Sequence, residues 1–334
     1  MSRKFEKEKF YDFIVNHGIV KFSEKPIKLK SGRLSNWYVN WRNAANDVYL
    51  IDELTDYLLA FTREHHITPD CFYGVPEGAT KFGIIAQYKY NPKGVILSEK
   101  EKLIALSLPR INEISEEILE NIHEEIDCVY GDPASVCREI AIITQYNLVK
   151  RAQNYRNDLR FLPMGRRKPK SHGLARDKYF VGEPFGETLV LLDNKEREKE
   201  VREQLRALEN VKIREIIEIK EQLMSEEFPE RVAIIEDVTT TGSSLLETIE
   251  KLGKNNITIT AAIGLTNRNE LRDNGKPVEE ILEEKGVPYY AMSNALDLLP
   301  KAYRKQKPGE RIKKLVEDYF KKYGTEDIKL TERE

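Results

Sequence analysis

The sequence has little that points to a membrane, an oxidising compartment or a nucleic acid. No apolar run in its 334 residues approaches the roughly 18 residues of a membrane span. The charged start M-S-R-K-F-E-K-E-K-F has no apolar signal-peptide core. The chain has 54 Lys and Arg residues and 56 Asp and Glu residues, so its net charge is only −2. A charge so close to zero produces no overall electrostatic field that would attract polyanions. We therefore expect a cytoplasmic protein without a nucleic-acid or membrane partner.

Cysteine is scarce as well. Cys71, Cys128 and Cys137 fit neither a disulfide framework nor the paired Cys-x-x-Cys spacing of a zinc site. We expect them to be reduced and to act as small buried hydrophobes. The chain also lacks the Gly-Lys-Ser/Thr of a P-loop and the G-x-G-x-x-G of a dinucleotide fold.

What the chain does have is an alternation of short apolar runs with amphipathic segments. The pattern predicts strands at 71–75, 94–97, 232–235, 257–265 and 287–291, and helices at 244–252, 278–284 and 313–323. Before them come a helix ending near His17, a hairpin with its turn at Ser31-Gly32, and a helix capped by Asp47. Strands that alternate with helices predict an α/β fold with a mostly parallel twisted sheet flanked by helices.

Two stretches interrupt this order. Residues 99–157 contain an amphipathic helix at 111–126 and a strand at 140–143. Residues 194–230 are dense in Glu, Lys and Arg and are typical of a solvated helix. We interpret both stretches as insertions, and we expect no internal repeat.

The most informative segment is R-V-A-I-I-E-D-V-T-T-T-G-S-S, residues 231–244. A buried strand ends in two carboxylates, and a Thr/Gly/Ser loop then opens a helix. Backbone N–H groups at a helix N-terminus bind phosphate, and carboxylates accept hydrogen bonds from ribose hydroxyls, so the segment suits a phosphorylated sugar. The alternative is a capped turn in which these side chains only satisfy helix N–H groups.

This segment resembles the phosphoribosyl pyrophosphate (PRPP) motif of type I phosphoribosyltransferases, two acids followed by a T-T-G-type loop. The resemblance implies the fold of that family, with an N-terminal hood hairpin. It also implies that PRPP is bound by Glu236, Asp237, Val238, Thr239, Thr240, Thr241, Gly242, Ser243 and Ser244.

A second segment, L-K-S-G-R-L-S-N-W-Y-V-N at 29–40, is similar to the N-terminal hairpin of orotate phosphoribosyltransferases. The resemblance implies that Lys30 contacts the diphosphate and that Tyr38 lines the base pocket. Taken alone, the segment fits an ordinary amphipathic hairpin equally well.

A third segment, G-R-R-K-P-K-S-H-G at 165–173, resembles the flexible loop of the form R-K-x-x-K-x-H-G that closes over PRPP. The resemblance implies catalytic roles for Arg166, Arg167, Lys170 and His172, together with Asp237. Arg167 stands where Lys is usual, so it supplies charge but cannot shuttle a proton. In isolation, such a run is more typical of a solvated loop or a nucleic-acid patch.

Two shorter segments complete the resemblance. In L-T-N-R-N-E, residues 265–270, Arg268 matches the Arg that grips the orotate carboxylate, although a surface ion pair is the alternative. In Y-G-V-P-E-G-A-T-K, residues 73–81, Gly74 and Gly78 suit a diphosphate-binding turn, and the resemblance places Gly74 among the PRPP-binding residues. Glu77 falls where some members carry a basic residue.

The resemblance is closest to the orotate phosphoribosyltransferases, which transfer phosphoribose from PRPP to orotate. It implies PRPP and orotate as partners and Mg²⁺ as cofactor, held mainly by PRPP and not directly by the protein. Because the closing loop of the relatives reaches the neighbouring subunit's site, it also implies a homodimer. A purine-type phosphoribosyltransferase and a non-catalytic PRPP-sensing regulator on the same fold remain alternatives.

On this resemblance the chain divides into seven parts. They are an N-terminal helix and hood hairpin at 1–45, the first half of the core at 46–98, an insertion at 99–157, a catalytic-loop region at 158–193, a charged helical insertion at 194–230, the PRPP-motif half of the core at 231–300, and a C-terminal helix and tail at 301–334.

Overall fold

The computed structural model describes residues 4–29, 31–99, 102–122, 125–153, 156, 159–169, 179–206, 208–219 and 225–331. Over these residues the chain is a mixed α/β protein in which parallel sheets are flanked by helices. The predicted fold class is therefore confirmed.

The N-terminal part is helical apart from one antiparallel hairpin. It comprises α1 (Lys7–Asn16), β1 (Val20–Lys28), β2 (Leu34–Val39), α2 (Arg42–Ala45) and α3 (Val48–Glu64). The Asp47 carboxylate accepts hydrogen bonds from the N–H groups of Tyr49 at 3.0 Å and Leu50 at 3.2 Å. Asp47 therefore caps α3, as its sequence position predicts.

The next part alternates between strands and helices. It comprises β3 (Cys71–Gly74), α4 (Thr80–Tyr90), β4 (Val95–Glu99) and β5 (Leu103–Ser107). Strands β4 and β5 pair in antiparallel fashion.

A separate parallel sheet occupies the middle of the chain. The elements here are α5 (Leu108–Asn121), β6 (Cys128–Gly131), α6 (Cys137–Ala152), β7 (Gly186–Leu192), a 3₁₀ turn (Lys195–Arg197), α7 (Glu198–Arg206) and β8 (Val211–Glu218). Strands β6, β7 and β8 form a sheet in that order.

The last part completes the principal sheet. It comprises β9 (Ser225–Glu226), β10 (Arg231–Thr239), α8 (Ser243–Gly253), β11 (Thr258–Asn267), α9 (Val278–Glu284), β12 (Tyr289–Ala291), α10 (Ala295–Gln306) and α11 (Glu310–Tyr323). The order β12-β11-β10-β3 is parallel throughout. The short strand β9 joins the edge of β5.

Three sequence expectations about the middle of the chain are wrong. Residues 140–143 lie inside α6 and not in a strand. The sequence is misleading here because the helix is buried on most of its surface, so its apolar residues do not recur with a helical period. The segment 194–230 contains strand β8 as well as α7. The chain also has an internal repeat, since β6 and α6 repeat the sequence and hydrogen bonding of β3 and α4.

The core is continuous beneath the principal sheet and the N-terminal helices. Trp37 and Trp41 are among its largest fully buried side chains. Cys71, Cys128 and Cys137 are free and buried, as predicted, and burial raises the pKa of each thiol to about 12. Within the described part of the chain, no helix has the length and hydropathy needed to cross a membrane.

Candidate functional site

Two acids lie near the carboxyl end of the central strand β10, which continues to Thr239. Glu236 is buried, and its Oε2 accepts a hydrogen bond from Thr239 Oγ1 at 2.8 Å. Asp237 is partly exposed, and its Oδ1 accepts a hydrogen bond from the N–H of Val238 at 2.9 Å. Both acids lie near the carboxyl edge of the parallel sheet, where the ligands of α/β folds bind.

A tight loop of small residues joins β10 to α8. Gly242 has a φ of +67°, and a Cβ at this position would overlap the side chain of Val278, so the loop requires glycine. Thr240 and Thr241 precede this glycine, and the Thr241 and Ser243 hydroxyls lie 3.1 Å apart. Ser243 and Ser244 then begin an 11-residue helix. Hydroxyls and a helix N-terminus thus meet in a loop that suits a phosphate.

The turn after β3 lies directly against these acids. Val75 continues the strand, because its N–H donates to the Ile235 carbonyl at 2.8 Å. A Cβ on Gly78 would stand 2.5 Å from Asp237 Oδ2, and a Cβ on Gly74 would overlap the carbonyl of Ala79. Glycine at position 78 therefore allows the turn to approach Asp237, and glycine at position 74 allows β3 to approach the start of α4.

A cavity of about 280 Å³ opens beside this turn. Four cationic residues line it, namely Arg138, Arg166, Arg167 and Lys168, and its acidic lining residues are Glu77 and Glu99. The surplus of positive charge suits an anionic ligand, and the guanidinium groups suit phosphate oxygens.

Glu77 joins the turn to the basic loop. Its carboxylate accepts hydrogen bonds from the N–H of Arg167 at 2.9 Å and from Nη1 of Arg166 at 3.3 Å. Nη1 of Arg138 lies 3.7 Å from the same carboxylate. An acidic residue at this position therefore anchors the start of the loop.

Arg167 belongs to a buried charge cluster. Its Nη2 donates to Glu139 Oε1 at 2.9 Å and to Ser98 Oγ at 2.8 Å, and Arg138 Nη2 donates to the same Glu139 oxygen at 2.8 Å. Burial alone would raise the pKa of Glu139, but the two guanidinium charges outweigh it and hold that pKa below its usual range. The cluster fixes Arg167 at the edge of the cavity.

Arg268 directly follows β11 and is fully buried. Its Nε donates to Glu270 Oε1 at 2.7 Å, its Nη2 donates to Ser35 Oγ at 3.1 Å, and its guanidinium stacks 3.6 Å from the centre of the Trp37 ring. Tyr38 is half-buried on β2, next to Trp37. The end of β11 and the hairpin thus meet around one fixed cation.

Three residues that the sequence singles out, Lys30, Lys170 and His172, lie outside the described residues. The structure also adds two residues that sequence reasoning missed, Arg138 and Glu139. Both begin α6 in a stretch interpreted as an unrelated insertion. The signal that could have found them is the D-C-V-Y-G at 127–131, which repeats the D-C-F-Y-G at 70–74.

No protein-family model matches the chain. Over 103 residues the chain is 33% identical to a protein of Agathobacter rectalis named orotate phosphoribosyltransferase. The match covers 28% of this chain and 46% of the relative, so it spans less than half of the relative's length. The resemblance predicted from the motifs is thereby confirmed.

Two solved structures that align with this chain at low sequence identity are also named orotate phosphoribosyltransferase. The orotate phosphoribosyltransferase of Francisella tularensis aligns over 97% of this chain and 98% of its own, with 16% identity and a TM-score of 0.41. That of Aeropyrum pernix aligns over 90% and 99%, with 15% identity and a TM-score of 0.43.

Proposed function

We propose that this chain is an orotate phosphoribosyltransferase, which transfers phosphoribose from PRPP to orotate and releases diphosphate. The observation that carries the proposal is the meeting of three features at one sheet edge. These are the acid pair of β10, the glycine turn after β3 and the cationic cavity beside that turn. The Agathobacter relative bears the same activity in its name.

Each part of PRPP has a counterpart at this edge. The loop at 240–244 would bind the 5′-phosphate through N–H groups and hydroxyls. The carboxylates of Glu236 and Asp237 would accept hydrogen bonds from the ribose hydroxyls. The turn at 75–78 and the guanidinium groups of Arg166 and Arg167 would receive the diphosphate.

In the transfer, the bond between the anomeric carbon and a diphosphate oxygen breaks, and its electron pair leaves with the diphosphate. A bond forms between that carbon and a ring nitrogen of orotate, and the proton of that nitrogen passes to the departing diphosphate or to solvent. Glycosyl transfer of this kind has an oxocarbenium-like transition state. The chain therefore acts chiefly by stabilising the leaving group and holding the acceptor in line.

Mg²⁺ would arrive as the complex with PRPP and would neutralise part of the diphosphate charge. The family resemblance implies that the substrate's own oxygens would be the main ligands of this ion. Lys170 and Arg166 would add positive charge around the diphosphate. His172 is the candidate proton mediator of the loop, because an imidazole titrates near neutrality.

Arg268 and Tyr38 would form the acceptor side of the site. A guanidinium pairs well with the carboxylate of orotate, a group that purine bases lack. The contacts of Arg268 with Glu270, Ser35 and Trp37 would hold it in one orientation.

The test is an acceptor-depletion assay with PRPP and Mg²⁺, run in parallel with orotate, uracil, hypoxanthine and adenine. We expect only orotate to be consumed. Consumption of hypoxanthine or adenine instead would identify a purine-type enzyme. Binding of PRPP without consumption of any acceptor would identify a PRPP-sensing regulator.

A further inference from the structure

Two segments of the chain share a sequence pattern. Residues 70–74 read D-C-F-Y-G, and residues 127–131 read D-C-V-Y-G. The helices that follow contain G-I-I-A-Q-Y at 83–88 and A-I-I-T-Q-Y at 141–146. The first pair of motifs belongs to β3 and α4, and the second pair belongs to β6 and α6.

The two segments also fold in the same way. A Cβ on Gly74 would overlap the carbonyl of Ala79 at the start of α4, and a Cβ on Gly131 would overlap the carbonyl of Cys137 at the start of α6. Strand and helix therefore approach equally closely in both segments, and glycine allows it in each case.

The glutamines of the two helices make matching hydrogen bonds. Gln87 Oε1 accepts from the N–H of Phe72 at 2.9 Å, and Gln145 Oε1 accepts from the N–H of Val129 at 2.8 Å. The amide nitrogen of each glutamine then donates over 3.3 Å to the carbonyl of the aspartate that precedes its strand, Asp70 or Asp127.

The sheets around the segments are paired alike. Strand β3 pairs with β10 from Cys71–Val232 to Gly74–Ile235, and β6 pairs with β7 from Cys128–Thr188 to Gly131–Leu191. In both sheets the register with the following strand shifts at the same place, after Val232 in β10 and after Thr188 in β7. We call α3 to β4 with β10 and β11 the first copy, and α5 to β8 the second copy.

The two copies contact each other through equivalent residues. The rings of Tyr88 in α4 and Tyr146 in α6 lie 6.0 Å apart. Tyr88 Oη donates to Asn112 Oδ1 at 3.0 Å, and Tyr146 Oη donates to Asp52 Oδ1 at 2.6 Å. Asn112 and Asp52 are each the fifth residue of their helix, α5 and α3. Reciprocal contacts of this kind are those of a two-fold symmetric dimer, here within one chain.

The second copy lacks a phosphate loop of its own. By register, Asp193 stands where Asp237 stands in the first copy, but D-N-K-E-R replaces D-V-T-T-T, so the hydroxyl-bearing residues are missing. In this segment Arg197 makes a paired contact with the buried Asp132, from Nε to Oδ2 at 3.0 Å and from Nη2 to Oδ1 at 3.1 Å. The second copy therefore has an ion pair at the position where the first copy has its hydroxyl-bearing loop.

The second copy instead faces the site of the first. Arg138, Arg166 and Arg167 all belong to the second copy, and all three line the cavity beside the turn of the first copy. The first copy meets them with Glu77, which accepts from Arg166 and Arg167, and with Ser98, which accepts from Arg167 at 2.8 Å.

We propose that the second copy is a built-in, non-binding partner subunit that completes the single anion site of the first copy with Arg138, Arg166 and Arg167. One chain then holds one complete site, and no loop from another chain is needed. This arrangement replaces the homodimer with crossing loops that the family resemblance implies. The identity of the ligand as PRPP rests on the proposed function, whereas the cationic lining of the cavity suits a diphosphate whatever the acceptor.

The experiment measures binding of inorganic diphosphate with Mg²⁺ by calorimetry, and particle mass by light scattering, on the full chain. We expect one diphosphate per 38.8-kDa chain and a binding constant that does not change on dilution. Arg166→Gln and Lys168→Gln in the second copy should each weaken binding about tenfold. Arg202→Gln, an exposed change on α7, should leave it unaltered.

A mixing test decides between one chain and two. Gly78→Ala in the first copy and Arg166→Gln in the second should each weaken diphosphate binding about tenfold, and their co-expressed mixture should bind as weakly as either variant alone. If the site is shared between chains, random pairing restores about a quarter of the sites, and the proposal is overturned. Two diphosphates per chain would also overturn it. Failure to consume any acceptor, with one diphosphate bound per chain, would refute the proposed function alone.

Discussion

The Oδ2 of Asp237 lies 2.5 Å from the point where a Cβ on Gly78 would stand. This close approach joins the acid pair of β10 to the turn after β3, two segments that are far apart in the sequence. Because real Cβ atoms do not approach an oxygen so closely, any side chain at Gly78 must displace the carboxylate or the turn.

Gly78→Ala should therefore reduce kcat/KM for PRPP by about tenfold or more, equivalent to about 1.4 kcal/mol of transition-state stabilisation. The melting temperature should change little, because the turn lies at the edge of the sheet. Gly253→Ala is the matched control, since a Cβ there meets no atom within 4 Å. Equal activity of the two variants would show that the turn and Asp237 do not act together.

Glu77→Gln should strengthen the binding of diphosphate several-fold. The change removes a negative charge from a cavity lined by Arg138, Arg166 and Arg167, while the amide oxygen can still accept the N–H of Arg167. Because a tightly held product leaves slowly, kcat should fall as the affinity rises. Calorimetry with diphosphate and steady-state kinetics check both effects.

The control for this change is Glu227→Gln, which removes the same charge from an exposed site and should have no effect. Weaker diphosphate binding by Glu77→Gln would mean that the carboxylate acts mainly by ordering the loop and not by setting the charge of the cavity.

Arg268→Ala should raise the KM for orotate at least about tenfold and leave the KM for PRPP nearly unchanged. Some loss of stability is also expected, because Glu270 loses a buried partner. Arg33→Ala is the control, since Arg33 Nη1 lies 3.1 Å from the other oxygen of Glu270 and the side chain has no proposed contact with orotate. If both variants raise the orotate KM equally, Arg268 acts through Glu270 and not on the substrate.

Asp52 should make the contact between the two copies sensitive to acid. Burial alone would raise its pKa, but hydrogen bonds from Lys89, Tyr146 and Lys150 outweigh that effect and lower the pKa from 3.8 to about 2. The unfolded chain therefore binds this proton more readily. The resulting stability of about 2 kcal/mol is fully present above pH 4 and is lost as the pH falls through 2.

Urea unfolding of the wild type and of Asp52→Asn at pH 7 and at pH 2 checks this expectation. The difference in unfolding free energy should be about 2 kcal/mol at pH 7 and should largely disappear at pH 2. Asp56→Asn is the control, because Asp56 pairs with the same Lys89 but is 46% exposed, and exposed pairs contribute little. A pH-independent difference at Asp52 would contradict the account.

Much of the fold outside the second copy could be predicted from local signals. Asp47 begins α3 as a cap, and the helix at Val278–Glu284 has the predicted bounds. The glycine loop follows a buried strand, as the pattern at 231–244 indicates, although the strand continues through the acid pair to Thr239. In each case the residues that determine the structure are neighbours in the sequence.

The second copy was harder to predict because tertiary burial hides its patterns. Helix α6 is buried around most of its circumference, so four apolar residues in a row at 140–143 resemble a strand. Strand β8 carries the exposed charges Lys212 and Arg214 in alternation with Ile213. The high charge density of this segment alone predicts a solvated helix, whereas the alternation is that of a strand. The roles of Arg138 and Glu139 depend on contacts with Glu77 and Arg167, and no local pattern encodes them.

The most direct test of the central claim is the rate of orotidine 5′-monophosphate formation from PRPP and orotate, measured for the wild type and for Asp237→Asn. We predict steady formation of one nucleotide per diphosphate released by the wild type, and a loss of at least about a hundredfold in the variant. Nucleotide formation that is equal in the two proteins, or absent from the wild type, would contradict the assignment of the catalytic site to the edge formed by β3 and β10.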